Sequence, residues 1–140
     1  MSRRRELLQL GPARIEVMVE GTGPAIVLLP SSLRDSEDFD LLADLLAAEN
    51  FRVLRPQPRG MGRSSAPPAS MTLETLAADV AGVIAQLDAA PAVVVGHAYG
   101  HWVARVTDLR HPVAVGMTHQ DRRGGVELRD HAGDVGCQRL

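Results

Sequence analysis

The sequence contains no lysine: all 15 of its basic residues are arginine, which we read as the mark of a GC-rich genome rather than as chemistry. Those arginines are scattered, and with 17 acidic residues the formal net charge is -2, so nothing draws the chain to nucleic acid or to an anionic membrane surface. A single cysteine, Cys137, excludes a disulfide within the chain. No apolar run approaches the roughly 20 residues of a membrane span. The stretch after Arg3-Arg4-Arg5 is broken at Gln9, Gly11 and Pro12, too early for a signal peptide, so a cytoplasmic protein is expected. Aromatic residues make up only 3%, and a core must therefore come from Ala, Val, Leu and Ile, which suits helices packed on strands.

What is present is regular patterning. At 140 residues and 45% hydrophobic, the chain fits one modest domain. Ile15, Val17 and Val19 alternate with Arg14, Glu16 and Glu20, the period of a strand with one solvated face, and Glu6 to Leu10 is its hairpin partner across Gly11-Pro12. Ala25 to Leu29 is continuously apolar, as in a strand covered on both faces. Ser36 to Ala48 places Phe39, Leu42, Leu45 and Leu46 at helical spacing, with Ser36 or Asp38 to cap it and Asn50 to end it. A short strand, Phe51 to Leu54, precedes a loop rich in Pro and Gly from Arg55 to Ser70. Thr72 caps a second helix whose Leu73, Leu76, Ala77, Val80, Ile84 and Leu87 face inward, leaving Glu74, Asp79 and Asp88 outside. Ala92 to Val95 is a strand, a helix follows to about Leu109, and Val113 to Met117 is a sixth strand. The fold class is α/β: a mostly parallel sheet with helices on both faces.

Between the strand at 92–95 and the next helix lies Gly96-His97-Ala98-Tyr99-Gly100. A strand, Gly-x-Ser-x-Gly and a helix form the nucleophile elbow of α/β hydrolases, and here only the serine is missing. Arg55-Pro56-Gln57-Pro58-Arg59-Gly60-Met61-Gly62-Arg63-Ser64 is similar to the Asp-x-Arg-Gly-x-Gly-x-Ser segment after the fourth strand of epoxide-hydrolase-like and esterase-like members, with Gln57 in place of Asp. From Arg14 to about Met117 the chain resembles the N-terminal part of that superfamily, a truncated α/β-hydrolase fold. The resemblance implies a hydrolase acting on a small ester or epoxide-type substrate. It implies an oxyanion site built from the backbone N–H of Tyr99 and the Ser31-Ser32 segment, with Ala98 at the vacant nucleophile position and His97 beside it.

Alanine offers no group for a base to activate, and the family's acid and histidine come from later segments that the residues after Ala98 do not resemble. His111, His119 and His131 sit in no recognisable family context. His97 and His101 have a metal-ligand spacing, but no glutamate lies between them and His97 falls in the turn, so neither a metal nor another cofactor is expected. A domain over 1–118 and an irregular tail over 119–140 are expected, the tail being either an ordinary terminus or out-of-frame translation of a GC-rich gene. Three readings follow: an impaired hydrolase, a binding protein that holds a small molecule without attacking it, and a truncated remnant. The partners expected are a small-molecule ligand and a second copy, associating through a strand edge left open at 113–117.

Overall fold

The alternating and apolar stretches at the start of the chain form an antiparallel hairpin in the computed structural model, which describes residues 3–111, 114–120 and 126–130. Strand β1 (Arg4–Leu10) pairs with β2 (Ala13–Glu20), with Leu8 opposite Ile15. The strands β3 (Ala25–Leu29), β4 (Arg52–Pro56), β5 (Ala92–Gly96) and β6 (Ala114–Gln120) run parallel, in the order β4-β3-β5-β6. β2 lies antiparallel outside β4, and β7 (Val126–Asp130) lies antiparallel outside β6. The sheet is therefore mixed, with a parallel centre.

Its two faces are covered by different helices. α2 (Leu73–Gln86) and α3 (Tyr99–Arg110) pack on one face, where Val27, Leu29, Val94, Val83, Ile84 and Ala104 belong to one buried cluster. The other face carries α1 (Asp40–Ala48), with Leu28, Val53 and Ala43 in a second, smaller cluster. Successive residues of β3 alternate between these clusters, which is why its sequence is apolar without interruption. Among the described residues no helix is long and apolar enough to cross a membrane.

Three expectations are corrected here. Glu16 and Glu20 do not face solvent: they are 2% and 4% exposed. Glu20 pairs with the fully buried Arg55 and with Arg3 (3.2 Å), and Glu16 pairs with Arg63 (2.5 Å) and Arg5 (3.5 Å). Arginines from β1, β4 and the following loop close over this face of β2, and a buried acid is tolerated only when paired in this way.

The helix expected from Ser36 begins as a 3₁₀ turn (Ser36–Phe39) capped by Asp35, whose carboxylate accepts from the Glu37 N–H at 2.7 Å. Neither Ser36 nor Asp38 is the cap, because the Ser36 hydroxyl is buried and donates to the Pro56 carbonyl at 2.7 Å. α1 then turns Ala43 and Ala47 inward, while Leu42 and Leu45 are exposed. Its rotation follows Asp40, whose carboxylate reaches Arg55 at 2.5 Å; residues three and seven positions later fall on that same inner side. Asn50 does end the helix region, in a left-handed conformation with φ of 65°.

The sheet also continues past the boundary expected at 118. β6 extends to Gln120, and β7 pairs along it with Gly116 opposite Asp130 and Gln120 opposite Val126. Among the described residues β6 is thus not an open edge, and 126–130 is strand rather than irregular. Val113, His131 and Cys137 lie outside the described residues.

Candidate functional site

The residues singled out from the sequence meet at the C-terminal ends of β3 and β5. These strands are neighbours in register, with Leu29 opposite Gly96, so the chain leaves both at the same level. The His97 N–H donates to the Leu29 carbonyl at 3.0 Å and prolongs the ladder by one rung. Ala98 then adopts φ 51° and ψ -115° and stands at the N-cap of α3. A residue with a side chain is strained there by roughly 1–3 kcal/mol, so the surrounding packing must hold it.

Two glycines supply that packing. A Cβ on Gly96 would come within 2.3 Å of the Gly100 carbonyl, and one on Gly100 within 2.5 Å of the Leu29 and Pro30 carbonyl oxygens. Strand, turn and helix therefore approach to a distance that only glycine allows. The first N–H groups of the helix are partly turned back, Gly100 to His97 O (2.9 Å) and His101 to Ala98 O (3.0 Å). The Tyr99 N–H heads α3 ahead of these bonds, where backbone donors and the helix dipole favour an oxygen bearing negative charge.

Ser31 and Ser32 follow β3 after Pro30 and border the same spot. Both line a small apolar cleft between α2 and α3, with a volume of about 60 Å³, whose other walls include Leu29, Tyr99, Val103, Leu76, Met61 and Met71. Four waters would fill that volume at the roughly 15 Å³ each needs, so it suits one small group of a ligand. His97, exposed like Ala98 and Tyr99, faces the other way. It lines a second, more open cleft of about 440 Å³ on the α1 side, together with Pro30, Ser31, Arg34, Asp38 and Phe39. His101 is on α3, one turn beyond, beside Trp102, whose ring is 55% exposed and lies under Arg105 (5.9 Å). Among the described residues no three His, Cys, Asp or Glu side chains gather around a point where a metal could sit.

The roles of two elements of the site escaped the sequence reading. Asp79 is not on the outer face of α2: it is buried and forms a two-pronged pair with Arg59, Nε to Oδ2 at 2.7 Å and Nη2 to Oδ1 at 2.9 Å. The hydrogen bond that Arg59 donates to Asp79, outweighing the opposing effect of burial, holds the Arg59 guanidinium above its ordinary pKa. Arg59 also donates to the Ser70 hydroxyl (2.7 Å) and carbonyl (3.2 Å), so it clamps the loop that walls the cleft. A signal existed, since Leu76, Asp79, Val80 and Val83 fall at i, i+3, i+4 and i+7 on one face.

The second element is Gln57, at 1% exposure. Its amide nitrogen donates to Asp35 (2.7 Å) while its oxygen accepts from the Ser36 N–H (3.0 Å). The loop after β3, which carries Ser31 and Ser32, is thereby tied to the loop after β4. An aspartate at 57 would set a second carboxylate against Asp35, so the neutral amide suits this loop.

Residues 26–128 match the model of the Alpha/beta hydrolase family, past the boundary expected at 118. The chain is 40% identical over 85 residues to a zearalenone hydrolase of Bionectria ochroleuca, covering 58% of this chain and 32% of that protein. It is 33% identical over 89 residues to an epoxide hydrolase of Caballeronia sordidicola, covering 61% of this chain and 27% of the relative. The crystal structure of epoxide hydrolase A from Mycobacterium thermoresistibile superposes with a TM-score of 0.77 over 83% of this chain and 38% of that one, at 23% identity, a likeness of fold. The chain thus spans about a third of the length of the curated relatives it matches.

Proposed function

The chain belongs to the alpha/beta hydrolase family, and from that premise we propose that the turn at Gly96–Gly100 is a binding site for a small apolar ester or epoxide-type compound, at which Ala98 forms no covalent bond. The carrying observation is Ala98 itself, a residue without a nucleophilic atom held at φ 51° in the strained position. The compound's polar oxygen sits at the Tyr99 N–H and the backbone of Ser31-Ser32, and its apolar part enters the cleft between α2 and α3. Names of the relatives support this chemistry, since both are hydrolases, one of an epoxide. Water attack at such a site gains only what binding and oxyanion stabilisation provide, so turnover is slow compared with a serine-bearing elbow.

Titration calorimetry with short-chain esters and with the matching non-hydrolysable ketones tests the reading, with product followed by chromatography. Saturable binding of both, lost in Gly100→Val, is the expected result. Rapid hydrolysis of the esters without help from any other residue, or no binding of either series, would contradict it.

A further inference from the structure

Ser31 stands where the two clefts meet: it lines the apolar cleft on the α2–α3 side and the open cleft on the α1 side. It lies two residues beyond Leu29, as Ala98 lies two residues beyond Gly96, and Leu29 and Gly96 are paired in register. Its hydroxyl is therefore carried by the loop that leaves the strand next to the one bearing the vacant nucleophile position. His97 lines the open cleft with it, as do Asp38 and the Phe39 ring. The Ser31 and His97 side chains thus border the same open cleft. Asp38 is held by Arg34 at 2.7 Å, which fixes a carboxylate in the cleft wall.

We propose that Ser31, with His97 as its base, is a displaced nucleophile that takes up acyl groups from small activated esters bound at the elbow. The Ser31 oxygen attacks the ester carbonyl carbon while its proton passes to the His97 imidazole, and the developing oxyanion faces the Tyr99 N–H. The ester C–O bond then breaks, and the leaving alkoxide takes the proton from His97. Water, deprotonated by His97, cleaves the acyl-serine and releases the acid, and the proton returns to the Ser31 oxygen. Overall, one ester and one water give one acid and one alcohol. Serine and imidazole make no hydrogen bond to each other in the structure, and catalytic hydrogen bonds commonly close on substrate binding.

This inference rests on the carbonyl-binding reading above, and the experiment separates the two. The full chain is treated with a fluorophosphonate reagent and with p-nitrophenyl acetate, and adducts are mapped by peptide mass spectrometry. One adduct on Ser31 is expected. Ser31→Ala abolishes it, Ser65→Ala in the exposed loop leaves it unchanged, and His97→Gln slows it by about tenfold or more with an unchanged melting curve. Binding of the non-hydrolysable ketone is measured in parallel on the unsubstituted chain. Ketone binding with no adduct, or an adduct that survives Ser31→Ala, overturns the inference and leaves the binding reading standing. Absence of both binding and adduct overturns both.

Discussion

Ala98 combines two properties that pull apart. Its backbone takes the conformation that presents a nucleophile, yet its side chain ends at a methyl group. The packing that enforces this conformation comes from Gly96 and Gly100, which predicts that substitutions there are far more disruptive than at Ala98. Gly100→Ala, with its new methyl 2.5 Å from two carbonyl oxygens that belong to β3 and its end, should cost at least the upper part of the roughly 1–3 kcal/mol typical of overpacking. A urea denaturation curve would measure it, and a loss as small as that of Ala98→Ser would contradict the packing argument. Arg59 and Asp79 form the other residue-level dependency. Removing one partner by Asp79→Ala should destabilise by about 3–5 kcal/mol, and replacing both by apolar residues of similar size by less than that single change. A double loss equal to the sum of the two single losses would show the residues to be independent of each other.

At the scale of elements, the helices differ in how they are anchored. α2 has a capping box: the Thr72 hydroxyl accepts from the Thr75 N–H (3.1 Å), and the Thr75 hydroxyl accepts from the Thr72 N–H (3.0 Å). Thr72→Ala should cost about 0.5–2 kcal/mol by calorimetric melting. α1 is anchored by charge. Burial pushes the Asp40 carboxyl up, but the hydrogen bond from Arg55 and the charges of Arg55 and Arg3 outweigh it and hold it below its usual 3.8. A carboxylate lowered on folding adds stability above its unfolded value, and that stability is lost as pH falls through the lowered one. The urea midpoint should therefore drop on acidification below about pH 3.8, and the drop should be smaller in Asp40→Asn. An identical pH profile in both proteins would remove Asp40 from the account. The amphipathic spacing of α1 was plain in the sequence, but its rotation was not, because Leu42 and Leu45 fit an inward face as well as Ala43 and Ala47 do. The ion pair with a residue of β4 chose between them.

For the whole molecule, the outer strands among the described residues are β1 and β7. β1 carries Arg4, whose side chain is 63% exposed, and Arg5, paired to Glu16 and Glu37. Charges on an outer strand discourage pairing with a second copy. We propose that self-association, if driven by a sheet edge, is held back at β1 by these arginines. Arg4→Val should then raise the apparent mass in light scattering as concentration increases, and an unchanged mass would place any association elsewhere.

The sequence by itself determined the α/β alternation, the hairpin, the capped helix and the glycine-flanked turn, because each depends on periodicity or on residues whose backbone preferences are local. It also located Ala98, His97, Tyr99, Ser31 and Ser32 at strand ends, and in the structure these residues lie together where β3 and β5 finish side by side. Only the tertiary structure decided which polar residues are inside. Glu16, Glu20, Asp79 and Arg55 look like solvated charges in one dimension, and their burial depends on partners 11 to 47 positions away or on neighbouring strands. It also decided that Ser31 and His97, 66 positions apart in the chain, face one cleft. Local pattern reports how each segment meets water, whereas which charge meets which is set by the order of the strands in the sheet, and that order is not written in any one segment.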